Sequence, residues 1–284
     1  MTEIAFVTDS TAYIPTDLIR KYGIAVAPLV LLWGDKTYHD GVDIQPDEFY
    51  VQLKSAKVMP TTSQPSVEVM RNIFKPLTDR GAEVLGVFIS SKLSGTMQSA
   101  LQAREELGSA AARISIVDSN ACAMAAGFQL LAAARAAKDG ASLRDCVALV
   151  EKCRDLVGVY FAVDTLEFLY RGGRIGGAQR FIGSALNLKP ILALKDGRVE
   201  AEDRVRTKSK ALDKVLELVA AQVRGRQNVR LATVHANAEA EARQLLERAS
   251  KELGAVESVL ASVSPVVGAH AGPGTVGLAY MTGV

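Results

Sequence analysis

The stretch Val87–Ala100, VFISSKLSGTMQSA, joins an apolar run to a polar turn and then to a helical pattern. Val87, Phe88 and Ile89 have the character of a buried parallel strand, while Thr96 onward supplies helix formers with Met97, Ala100 and Leu101 on one face. In a strand-loop-helix unit of this kind the loop lies at the carboxyl end of a strand, where open α/β sheets place their ligands. The free N–H groups at the helix start suit an anion there. Ser94 and Thr96, either side of Gly95, add hydroxyl donors. A serine ahead of a helical run is also the usual helix cap, so the loop taken alone leaves capping and anion binding both open.

The unit recurs along the chain. Ile4–Thr8 runs into Asp9-Ser10-Thr11 and a helical pattern through Tyr22, and Arg113–Val117 runs into Asp118-Ser119-Asn120 and an alanine-rich helix. Ala25–Trp33 reads as another buried strand, and Pro46–Lys54 and Ser66–Leu77 as helices. Between those helices, Met59–Ser66 holds two prolines and four hydroxyl residues, which predicts an irregular loop rich in donors and a second candidate binding surface. A helix from Ser142 to about Arg154 closes the first half. The β/α alternation predicts an α/β fold with a mostly parallel sheet flanked by helices, in a domain spanning 1–156.

From 157 to 284 the pattern changes. Val157–Val163 is strand-like, Thr165–Tyr170 a short helix, and Arg171–Gly177, RGGRIGG, a glycine-rich turn before a helix predicted over Ala178–Leu186. Lys195-Asp196-Gly197-Arg198 is a strong hairpin signal. Helices at Lys208–Val223 and Glu239–Leu253 alternate with strands at Val229–His235 and Val256–Val263, before a glycine-rich Pro265–Gly277 and a last strand to Tyr280. The second domain is therefore expected to be α/β with a mixed sheet.

Composition narrows the function classes. With 284 residues, 49% of them hydrophobic, the chain can bury sizeable cores, and 33 basic against 31 acidic residues leave a net charge of only +2. No global field draws it to nucleic acid or anionic lipid. Cys122, Cys146 and Cys153 are odd in number and lack a C-x-x-C pair, which suggests reduced thiols in a cytoplasmic protein. The N-terminus shows no leader pattern. Asn120–Ala137 is broken by Asn120, Gln129 and Arg135, so it reads as a buried helix and no membrane span is expected.

Several motifs fail on context. Gly272-Pro273-Gly274-Thr275-Val276-Gly277 spells G-x-G-x-x-G, yet seven residues follow, too few for the helix and strand of a dinucleotide site. No G-x-x-x-x-G-K-[ST] occurs, and His39, His235 and His270 lack partners at metal-ligand spacing. Neither metal nor cofactor is expected. Ser94, Asp118 and His270 follow the chain order of an α/β-hydrolase triad, but Lys92 and Thr96 stand where a nucleophile elbow has glycines. A serine acyl hydrolase using Ser94 and His270 stays as the alternative function. Arg171, Arg174 and Arg180 form a basic, glycine-punctuated segment suited to a carboxylate, a phosphate or an acidic partner surface. The second basic run, Arg204–Lys208, has no interleaved aromatic and gives no case for nucleic acid.

Taken together, VTDSTAYIP, the TTSQPS loop, SSKLSGTMQSA, VDSNACAMAAG, LYRGGRIGG and the terminal GAHAGPGTVGLAY resemble, in order and across essentially the whole chain, the DegV family of bacterial fatty-acid-binding proteins. The resemblance implies two α/β domains with a long-chain fatty acid lying between them, its acyl chain buried in the first. It implies a cytosolic carrier, without catalysis of its own, that presents the lipid to a separate ATP-dependent fatty acid kinase making acyl-phosphate for phospholipid synthesis. The family's carboxylate contacts fall on Thr62, on Ser94 with Gly95 and Thr96, and on His270; Arg174, with Arg171 beside it, falls at the mouth of the site that faces the kinase. Tyr170-Arg171 stands where many relatives carry lysines. About fifteen buried methylenes at ~0.8 kcal/mol each would contribute on the order of 12 kcal/mol before ordering costs, so the tail dominates affinity. Donors at the head are required because an unpaired carboxylate cannot be left in a dry cleft.

Overall fold

The computed structural model describes residues 2–183 and 188–284. In chain order the elements are β1 (Ile4–Asp9), α1 (Thr16–Tyr22), β2 (Ala25–Ala27), β3 (Val30–Trp33), β4 (Lys36–His39), α2 (Pro46–Leu53), β5 (Thr61–Ser63), α3 (Val67–Asp79), β6 (Glu83–Phe88), α4 (Thr96–Glu106), β7 (Ile114–Asp118), α5 (Met124–Lys138) and α6 (Leu143–Cys153). There follow β8 (Val157–Ala162), α7 (Glu167–Arg171), β9 (Lys189–Lys195), β10 (Arg198–Val205), α8 (Lys208–Val223), β11 (Arg230–His235), α9 (Glu239–Leu253), β12 (Glu257–Ser262), α10 (Pro265–Ala271) and β13 (Val276–Met281).

The first half builds a parallel sheet of order β2-β1-β6-β7, as the repeated strand-loop-helix pattern requires. The second half builds a mixed sheet of order β10-β9-β8-β13-β11-β12, in which only β11 and β12 run parallel. Its β9–β10 hairpin turns at Asp196-Gly197, both in the left-handed region that this turn demands.

Between the sheets lies α5. Every residue from Met124 to Ala134 is buried, because strands of both sheets flank the helix: Phe6, Leu85 and Val87 on one side, Val159, Ala279 and Met281 on the other, all in one hydrophobic cluster. Alanine suits this seam, since small side chains let two sheets approach a helix closely without voids. At Gly127 a Cβ would stand 2.7 Å from the Ala12 carbonyl oxygen, so the contact is backbone to backbone.

Four expectations are corrected. Ala25–Trp33 is two strands, interrupted at Pro28-Leu29, because proline removes a ladder donor. The second of these, β3, pairs with β4 and β5 to form a small antiparallel sheet, and the loop expected to be irregular thus contributes a strand at Thr61–Ser63, between its prolines. In place of the helix over Ala178–Leu186 there is a 3-10 turn at Gly176–Phe181, where Gly176 has φ +50; positions 184–186 of that expectation lie outside the described residues. Pro265–Ala271, within the segment read only as glycine-rich and given no helix, is helix α10, with proline at its first position.

Candidate functional site

The three sheets and α10 border a cleft with about 940 Å³ of empty space, open solvent at its mouth included. Its lining is overwhelmingly apolar and comes from both halves of the chain. Tyr13, Leu29, Ile89, Leu93 and Ala123 stand on one side; Val159, Phe161, Leu194, Val234 and Val263 on the other. Ala123, at the start of α5, has φ +56 and ψ −154, a conformation that residues with a Cβ rarely adopt, so this rim of the cleft is held against a local cost.

Polar groups gather where β5, the loop after β6 and α10 converge. Thr62, on the face of β3–β5 that Leu31 shares, meets the ring of His270: Thr62 Oγ1 and His270 Nε2 share a hydrogen bond of 2.7 Å. Ser94 lines the same cleft and shares a 2.8 Å hydrogen bond with Thr96 Oγ1, while its oxygen accepts from the Thr96 N–H at 3.3 Å. The serine lines the cleft and closes a turn onto the Thr96 N–H, while the N-cap of α4 is Gly95, with no side-chain capping bond. Thr96 is buried behind Ser94, and Gly95 is covered by the Gln64 side chain, within 3.0 Å of where a Cβ would stand.

His270 is carried on the last turn of α10, and its ring lies against the backbone of Gly172, where a Cβ would fall 2.0 Å from Nδ1. That nitrogen is buried and has no hydrogen-bond partner among the described residues. Burial, reinforced by the nearby Arg174 charge, pulls the imidazole down to about 4, so the ring is neutral at physiological pH and offers one donor and one acceptor. Arg174 spans the seam: its Nε donates to the Leu93 carbonyl at 3.1 Å and its Nη1 to the Gly172 carbonyl at 2.8 Å. The loop after β6 is gripped further by the β9–β10 turn, through Ser90 Oγ to the Gly197 carbonyl at 2.9 Å and Lys92 Nζ to the Asp196 carbonyl at 2.6 Å.

Thr62, Ser94, His270 and Arg174 are thus brought to one cleft from positions far apart in the chain. Arg171 is not. It points outward, more than half exposed, and pairs with Glu167 at 2.7 Å. The triad of the alternative reading is not assembled either. Asp118 accepts from the backbone N–H groups of Ser91 and Asn120 at 3.1 and 2.8 Å, and no carboxylate among the described residues bonds to His270 Nδ1. The glycine-rich C-terminal motif serves as the turn between α10 and β13. Gly272 passes under the Phe168 ring and Gly274 beside the Asp164 carboxylate, both at positive φ, with no helix after them.

Sequence reasoning missed the second-half lining, because Val159, Phe161, Leu194 and Val234 look like any alternating strand until the topology shows which face meets α10. It also missed Tyr13 and Cys122, whose hydrophobic surroundings hold both protonated, the thiol being pushed up to about 12. The VTDSTAY spelling does mark a polar turn there, and Tyr13, at φ +54, closes it.

Three comparisons bear on this architecture. A DegV domain-containing protein of Streptomyces coelicolor is 38% identical over 277 residues, covering 97% of each chain. The solved structure of a fatty-acid-binding DegV family protein of Thermus thermophilus superposes with a TM-score of 0.93 at 37% identity, covering 99% of this chain and all of that one. Crystalline DegV of Bacillus subtilis, described as a fatty acid binding protein, superposes with a TM-score of 0.90 at 33% identity over the full length of both. The family model described as "Uncharacterised protein, DegV family" matches residues 3–283, and with these relatives it shows that the chain belongs to the DegV family.

Proposed function

We propose that this protein binds a long-chain fatty acid in the cleft between the two halves and presents its carboxylate to a separate ATP-dependent fatty acid kinase, which converts it to acyl-phosphate for phospholipid synthesis. The observation that carries the reading is an apolar slot that ends in a cluster of neutral donors, Thr62, Ser94 and His270, with Arg174 at the same end. Such a site matches an amphiphile with one anionic tip. The tail supplies affinity through buried methylenes; the head supplies register, because a carboxylate carried into the cleft must find donors. The binding described for the Thermus thermophilus and Bacillus subtilis relatives supports the same assignment.

The carboxylate replaces the Thr62–His270 hydrogen bond and accepts from both groups and from Ser94. Gly95 and Thr96 shape the turn behind it, Arg174 gives the mouth its basic character toward the kinase, and Arg171 stands outside the cleft on the outer face of the same turn. The carrier breaks no bond itself and works in the cytoplasm; no helix among the described residues is long and apolar enough to cross a membrane. Residues 1–156 and 157–284 act as the two jaws.

Native mass spectrometry of the protein purified from bacterial cells, with the extracted ligand identified, tests the reading. A fatty acid at near-unit stoichiometry is expected; a protein that arrives empty and retains no added fatty acid refutes it. Ser94→Ala is expected to weaken retention without removing any turnover. Stoichiometric labelling of Ser94 by a serine-directed phosphonate would instead revive the hydrolase.

A further inference from the structure

Asp40 follows β4 and is 2% exposed, deep enough that its carboxylate needs partners inside the protein. Its Oδ2 accepts from Ser10 Oγ at 2.7 Å, and Ser10 Oγ in turn accepts from the Leu29 N–H at 3.1 Å. Its Oδ1 accepts from the Val266 N–H at 3.1 Å, and the Ser264 hydroxyl also donates to it. Val266 belongs to the first turn of α10. Ser264 sits at the N-cap of that helix yet makes no capping bond of its own, its hydroxyl going to Tyr13 and Asp40. The helix that carries His270 is therefore capped by a residue 226 positions away.

The placement has a geometric consequence. Thr62 lies on β5 of the small sheet β4-β3-β5, and Asp40 directly follows β4, its N–H donating to the Leu29 carbonyl just before β3 at 2.9 Å. That sheet holds Thr62 directly and, through Asp40, fixes the start of α10 one turn before His270. Tyr50 braces the same helix, donating its hydroxyl to the Val263 carbonyl at 3.2 Å and packing where Gly268 leaves room for its ring. We propose that Asp40 is a positioning residue for the head of the cleft: by capping α10 it sets the His270 ring in register with Thr62, and so confers preference for a free carboxylate over an uncharged head. This rests on the fatty-acid reading of the site.

The test compares palmitate with its methyl ester, which share a tail and differ at the head. Wild type is expected to prefer the acid by at least about tenfold, the scale of one hydrogen bond to a charged group. Asp40→Ala is expected to bring the acid-to-ester ratio to within about threefold of unity while ester affinity holds, because the tail contacts survive. Asp40→Asn keeps an acceptor for the Val266 N–H and is expected to restore most of the ratio. If Asp40→Ala does not fold, Ser264→Ala takes its place, and a ratio lowered about threefold is expected as one partner of Asp40 is lost. An unchanged ratio in the variant measured, or equal loss of acid and ester affinity, overturns the proposal alone. A wild-type protein that binds neither ligand overturns the fatty-acid reading and this proposal with it.

Discussion

The jaw formed by the first half of the chain and the jaw formed by the second are both α/β, yet they bring different materials to the cleft. The parallel sheet delivers loops at the carboxyl ends of its strands, so its contribution is turns: Ser94 after β6, Tyr13 after β1, Cys122 after β7. The mixed sheet delivers a strand face, so its contribution is a row of apolar side chains, Val159 and Phe161 on β8, Leu194 on β9 and Val234 on β11. The polar end belongs to neither jaw alone, since Thr62 comes from the small third sheet and His270 from α10. Topology thus divides the labour: strand faces line the cleft with apolar side chains, and loops and helix ends bring its polar groups; under the proposed function the first take a tail and the second a charge.

The sharpest way to break that division is to put a charge on the tail wall. Phe161→Asp places a carboxylate on the apolar face of β8 with no donor opposite it. Displacement of a fluorescent fatty acid should show affinity falling roughly a thousandfold, about 4 kcal/mol, while the melting curve stays cooperative because Phe161 is only partly buried. Affinity within tenfold of wild type would mean that the tail lies elsewhere.

The polar end carries a different signature, one of pH. An unfolded histidine titrates near 6.5 and folded His270 at about 4. Between those values the unfolded chain binds the extra proton, so the stability due to a neutral His270 is fully present above the unfolded value and is lost as pH falls toward 4. The buried carboxyls Asp9 and Asp40, raised by desolvation, act with the opposite sign, their contribution being lost as pH rises through their folded values. Comparing wild type with His270→Gln cancels them. Urea unfolding from pH 7 down to 4 should show the wild type losing at most on the order of 3 kcal/mol more than the variant. Parallel curves would show that His270 titrates normally.

A finer cut separates ring placement from backbone strain by using neighbouring glycines. Gly172 has an ordinary φ of −76, so alanine fits its backbone, but the new Cβ would displace the His270 ring. Gly172→Ala should therefore cost fatty acid affinity about tenfold, or ~1.4 kcal/mol, with little change in melting temperature. Gly173, at φ +70 with open space around it, should behave the other way: Gly173→Ala lowers stability by about 1 kcal/mol and leaves affinity alone.

How much of this was legible in the sequence depends on length scale. The parallel sheet was, because each unit repeats an apolar run of five or six residues and a polar turn. The β9–β10 hairpin was too, because Asp196-Gly197 permits little else. The small sheet was not: β3, β4 and β5 have four, four and three residues, below the length at which alternation can be told from chance, and Thr61–Ser63 hides between two prolines. Residues of the candidate site were legible only as chemistry. Ser94 and Thr62 announced themselves as hydroxyls in loops, but no local pattern could say that His270, 208 positions from Thr62, would share a hydrogen bond with it.

Arg171 and Arg174, three residues apart in one glycine-rich turn, set the smallest contrast and the one that bears on the partner. Arg174 donates across the seam to the Leu93 carbonyl, whereas Arg171 makes only an exposed ion pair with Glu167. Exposed pairs on a helix are worth about 0.3–0.5 kcal/mol, so Arg171→Ala should shift fatty acid affinity by less than about twofold and the melting temperature barely at all. Arg174→Ala should cost lipid affinity about threefold at most, through a loosened Ser94 loop, because the loop keeps its bonds to Asp196 and Gly197. Under the proposed function its larger effect is expected on kinase-dependent phosphorylation of the bound lipid. If both functions fall in equal proportion in Arg174→Ala, the arginine serves the cleft and not the partner. If Arg171→Ala slows phosphorylation as much, the kinase reads the outer face of the turn, and the two jaws meet their partner along a broader surface than the mouth of the cleft.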